Sequence, residues 1–219
     1  MNKNLPNIDY KKTNKNPTID SDTSEYELPF YKDVEYFANI DNFVSFIKAV
    51  ERMTRTSKFY KRYISYIKND IGLRCCQVLS NIEEEEDDTS RLIEMHHGPI
   101  LTLFDCASII TDYLIFHEKK INTFIVTDIL LQEHFNNNIQ VVMLSETVHE
   151  QLHLGNVFIN LNQAFGDINT FLTRYYDGLQ LEQIQKINNY IKTSKKFDSF
   201  DNNVLNLSGV VKKWSRENN

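Results

Sequence analysis

The chain has 219 residues, 41% of them hydrophobic and 12% aromatic, which is enough to enclose one ordinary core with appendages. No apolar run approaches the roughly 18 to 20 residues that a bilayer crossing requires, so no membrane partner is expected. The formal net charge of −6 speaks against nucleic acid only until it is mapped, because Glu83 to Asp88 alone holds six acids.

Residues 1 to 25 are polar and aperiodic, include Pro6 and Pro17, and lack the apolar stretch of a secretory leader; a loosely attached arm is expected there. Residues 26 to 73 form a helical region. Phe43, Phe46, Ile47, Val50, Tyr60, Ile64 and Ile67 recur at helical spacing, with an interruption between Thr54 and Ser57. RMTRTSKFYKRYISYIK, from Arg52 to Lys68, contains no acid. Arg52, Arg55, Lys58, Lys61 and Arg62, with Tyr60, Tyr63 and Tyr66 interleaved, make it the best phosphate-contacting face; its plain alternative is a solvated amphipathic helix with tyrosines partly in the core. RCCQVLSNI (74 to 82) and SRLIEMHH (90 to 97) read as short strands, with the acidic hexapeptide as a solvated hairpin turn between them.

After Gly98-Pro99, residues 100 to 119 have the length and apolar content of a helix, and a second helix is expected from Thr127 to Phe135. Asn138 to Leu144 is a strand, followed by a helix with Ser145 as N-cap and Leu154-Gly155 as its end. Val157 to Asn160 is a further short strand. Ile168 to Tyr176 and Leu181 to Ile191 are helices within a C-terminal helical region at 161 to 194, and 195 to 219 form a polar tail. Cys75, Cys76 and Cys106 offer neither a disulfide framework nor a C-x-x-C knuckle, which suits a reducing, cytoplasmic setting.

The chemistry concentrates in three strings. His149-Glu150-Gln151-Leu152-His153 puts two imidazoles at i and i+4 on one helix face, where they can share a cation. Glu94-Met95-His96-His97 ends a strand, so its two histidines point to opposite sides. Asn138-Ile139-Gln140-Val141 opens the next strand.

H-E-x-x-H alone admits a zinc metallopeptidase with Glu150 as base, whose nearest downstream third ligand is Glu182. Taken in order, however, the three strings resemble the HNH endonucleases of the ββα-metal (His-Me finger) superfamily, with the colicin-type DNases nearest. The resemblance implies an α+β chain: a mainly helical protein around a ββα-metal core at 74 to 160. The 41 positions between His97 and Asn138 imply a helical insertion at 100 to 136 between the motif strands.

It further implies that His96, His149 and His153 bind one divalent ion (Zn, Ni, Mn or Mg), and that His97 is the general base. Asn138 orients His97, Glu94 supports a neighbouring group, and the reaction is DNA phosphodiester hydrolysis. The protein is then expected in the host cytoplasm, free-standing or in a DNA-processing complex of a phage or other mobile element. A non-catalytic accessory protein on the same scaffold remains the third reading. His117 and His134 carry no motif and receive no role.

Overall fold

The computed structural model describes residues 30–79 and 92–199, with side chains as far as 196. The arm at 1 to 25, the acidic hexapeptide and the tail from residue 200 on lie outside the described residues. The protein is α+β and mostly helical, with one two-stranded antiparallel sheet among the described residues. No helix among the described residues is long and apolar enough to cross a membrane.

Helix α1 (Val34–Ala38) leads into α2 (Ile40–Thr56), whose free N–H groups at Asp41 and Asn42 are taken by the Asn39 side chain. Phe46, Ile47, Val50 and Thr54 form the buried stripe of α2. Ser57 is extended and ends α2, and its hydroxyl accepts from Tyr60 N to cap α3 (Lys58–Asn69). The expected interruption is therefore a single capping residue.

Strand β1 (Ile93–His97) is followed by α4 (Leu103–Phe116), opened by a reciprocal capping box between Thr102 and Asp105. Helix α5 (Thr123–Phe135) then precedes β2 (Val141–Ser145) and α6 (Glu146–His153). Helix α7 (Ile168–Arg174), a 3-10 turn at Tyr176–Gly178 and α8 (Leu181–Ser199) are the last of the described elements.

The apolar side chains fall into two clusters. In one, α4 is sunk among α2, α5, α7 and α8 through Leu103, Cys106, Ile109, Ile110 and Leu114. The other gathers Tyr63 and Ile67 of α3, Cys76, Val78, Ile93, Val141 to Leu144, Val148 and Ile159 around the sheet.

Several expectations need correction. The partner of β1 is β2, in a register pairing Ile93 with Ser145 and His97 with Val141. The 74–79 segment instead runs along the far side of β2, where Gln77 N donates to Met143 O (2.8 Å) and Gln77 Oε1 accepts from Met143 N (2.7 Å). A side chain thus takes one ladder position, and no regular strand forms there. Val157 to Asn160 is likewise no strand: Tyr190 donates to Ile159 O, and the Asn160 side chain caps a 3-10 turn (Leu161–Gln163).

Helix α5 starts four residues before Thr127, because Asn122 caps it through Ile125 N. Asn138 precedes β2 instead of opening it. Ser145 holds the N-cap position of α6 without making a side-chain cap bond. The expected tail begins late, since α8 continues to Ser199.

Candidate metal centre

Strand alternation builds one side of the site. On β1, Ile93 and His97 face the core, while Glu94 and His96 share the opposite face. Helix α6 follows β2 without a loop and packs on both strands, so His149 and His153, one turn apart, come down beside His96. His96 Nδ1 lies 3.0 Å from His149 Nε2, and His153 Nε2 lies 3.0 Å from the same atom. One ligand atom from each of the three fits within 4.8 Å of the others. Nitrogens bound tetrahedrally at about 2.0–2.1 Å from an ion stand roughly 3.3 Å apart, so the donor set fits a transition-metal ion with little movement.

Glu94 orients the cluster. Its Oε2 accepts from His149 Nδ1 at 2.6 Å, which places the proton on Nδ1 and turns the Nε2 lone pair toward the other two rings. Burial pushes the His96 imidazole down to about 4, with His149, His153 and the Arg55 guanidinium adding to the effect. A ring that stays neutral is a ready ligand. His153 is exposed and His149 half-buried, so the solvent side of the cluster carries no fourth protein ligand among the described residues. Three ligands and an open side mark reactive metal sites; structural ones are usually closed by four.

His97 points the other way. It is 4% exposed, its ring stacks on Tyr60 at 5.9 Å, and its Nε2 is 2.9 Å from His134 Nε2. His134 Nδ1 donates to Leu130 O at 2.6 Å, so its Nε2 has the lone pair and His97 Nε2 supplies the proton. Burial drives the His97 ring well below its ordinary value, with His134 next in effect, and burial lowers His134 to about 4. Asn138 Nδ2 donates to Glu133 Oε2 at 2.6 Å; its recorded bond is thus to α5 and not to His97. Glu133 Oε1 accepts from Tyr175 Oη at 2.8 Å and from Arg174.

His134, Glu133, Arg174 and Tyr175 escape sequence reading because each is a lone residue with no motif. The one hint is the polar pair Glu133-His134 near the end of a helix rich in apolar residues.

Arg52, Arg55, Lys58, Lys61 and Arg62 are all exposed on α2 and α3. Arg55, 3.7 Å from Glu51, contributes to the lowering at His96, His97 and His134, which places its charge beside the site. Tyr60 and Tyr63 are in the core and Tyr66 is half-buried; the exposed ring of this face is Phe59. Glu150 is exposed on α6, and Glu182 on α8 is outside the three-histidine group, whose third member is His96.

The family model described as Bacteriophage G278-like virion protein matches residues 1–216 of the chain. Comparison with curated proteins gave no match, and neither did comparison with solved structures.

Proposed function

We propose that this chain, which belongs to the Bacteriophage G278-like virion protein family, is a metal-dependent endonuclease of the ββα-metal (HNH) type that cleaves DNA in the host cytoplasm. The observation that carries this reading is the convergence of His96 from β1 with His149 and His153 from α6. That cluster is open to solvent at the exposed His153, and the positive charge of Arg55 on α2 acts on His96. The order of elements supports it: an antiparallel strand pair followed at once by the ligand helix, with α4 and α5 inserted between the strands.

When bound, a divalent ion supplies Lewis-acid polarisation of a phosphoryl oxygen and stabilises charge developing on the oxygen that leaves. His96, His149 and His153 hold it, Glu94 fixes the His149 tautomer, and Arg55 attracts the phosphate. His97 contributes through the backbone: fixed to His134, it sets the rotation of β1 so that His96 faces α6. A general-base role for its ring requires breaking a 2.9 Å hydrogen bond inside the core, so the proton of the attacking water goes to solvent on the open side.

Plasmid DNA and single-stranded DNA incubated with Mg²⁺, Mn²⁺, Ni²⁺ or Zn²⁺ test the reading. Cleavage is expected with at least one ion, stops with EDTA, and falls at least a hundredfold in His153→Ala, whose exposed site leaves the core untouched. Intact DNA under all four ions, with metal bound in the stoichiometry of one per chain, would favour a second reading: a non-catalytic metal-binding virion component. The burial of His97, which leaves no fourth histidine on the open side, is the observation that speaks for it.

A further inference from the structure

The α2–α3 face contains an aromatic ring that its cations do not require. Between residues 48 and 68 the sequence has seven Lys and Arg side chains against the single acid Glu51. Lys58, Lys61 and Arg62 are exposed there, and no ion pair is recorded for them among the described residues. In their midst Phe59 is 55% exposed, and the Arg62 guanidinium carbon lies over its ring at 5.7 Å. Its neighbour Tyr60 turns inward to stack on His97, so Phe59 stands on the outer side of the helical turn that braces the metal-bearing strand. An exposed phenylalanine by itself is ordinary. One set among cations, with a guanidinium already laid on it, has the composition of a stacking platform for a nucleobase whose phosphates are held alongside.

We propose that this face binds a single-stranded stretch of nucleic acid, with one unstacked base on Phe59 and adjoining phosphates on Arg55, Lys58, Lys61 and Arg62. This deepens the nuclease reading and rests on it: the strand presented to the metal centre is unpaired. Duplex DNA offers the same phosphates, but its bases are stacked on each other, and a phenyl group on a convex helix reaches one only after it has been extruded. The excess of positive charge suits a polyanion, and the ring adds what a purely ionic contact lacks.

Fluorescence anisotropy with a labelled twelve-nucleotide strand and its duplex, on the full chain in EDTA, measures binding apart from cleavage. The single strand is expected to bind more tightly than the duplex. Phe59→Ala should weaken it by about tenfold with the salt dependence unchanged, and Phe59→Tyr should restore it. Lys61→Ala should instead reduce the slope of log K against log salt by about 0.7. An unchanged affinity in Phe59→Ala would overturn the proposal. So would equal binding of the duplex, or displacement by an acidic polypeptide at matched charge, which would assign the face to a protein partner. Loss of cleavage activity with Phe59-dependent binding intact removes the enzymatic reading alone.

Discussion

At the residue scale the site depends on where protons sit. A neutral imidazole has one proton, and the metal-binding nitrogen must be the other one. The Glu94 carboxylate settles this for His149 by accepting from Nδ1 at 2.6 Å. Glu94→Ala should therefore lower divalent-metal affinity by about ten- to a hundredfold, read by competition against a chromophoric chelator. Glu94→Gln keeps an acceptor oxygen and loses the charge, so its affinity should fall in between. Equal affinities for all three proteins would show that Glu94 merely lies near the cluster. That His96, His149 and His153 could converge was legible in the sequence, because i, i+4 spacing on a helix and alternation on a strand leave little geometric freedom. His134 was not, since its partner His97 is 37 positions away and nothing local announces the pair.

At the scale of elements, legibility followed the strength of local signals. The break between α2 and α3 and the run of β2 into α6 were readable because periodicity and helix-start signals act within a turn; the capping box of α4 emerged only in the structure. The start of α5 was hidden by its apolar, β-branched opening at Thr123 to Val126, which looks extended until Asn122 is seen to cap it. The local reading of 74–82 and 90–97 as a hairpin misled about the strand partner, because a turn-like acidic run between two short apolar runs looks the same whether or not they pair; the sheet joins β1 to β2 across the insertion.

The helical cluster has one close backbone contact that sequence alone does not betray. At Gly178, in the turn before α8, an added Cβ would come within 2.1 Å of Ile109 O and 2.7 Å of Tyr113 N. Backbone cannot yield as a side chain can, so the turn must back away from α4. Gly178→Ala should cost about 1–3 kcal/mol, measured by guanidinium unfolding. A change under 0.5 kcal/mol would mean that the turn does not seat on α4 as closely as described.

At the scale of the whole molecule, the buried histidines join the two apolar clusters. His134 ends α5, which packs in the helical cluster, and its ring bonds to His97 on the sheet; Tyr63 of α3 is 5.1 Å away. Both histidines are neutral in the fold, and burial is the first cause in each case. The groups facing His134 are Glu133, which raises its affinity for protons, and the Leu130 carbonyl, which does the same; Arg55 opposes them.

The unfolded chain protonates these rings near 6.5, whereas folded His134 does so only near 4. Between those values the unfolded state binds more protons, so stability rises with pH there. It is complete above about pH 6.5 and is lost progressively as pH falls toward 4. For His134 alone the difference corresponds to about 3 kcal/mol. Unfolding midpoints in EDTA should therefore hold steady from pH 8 to 7 and fall steeply between 6 and 4.5. His134→Gln should start from a lower midpoint and lose less across the same range. The sheet and the helical cluster should melt together, because the bonded pair of rings joins them, as does the bond from Tyr190 to Ile159 O. A pH-independent midpoint would place these two rings in contact with solvent, and with them the inner support of the strand that presents His96.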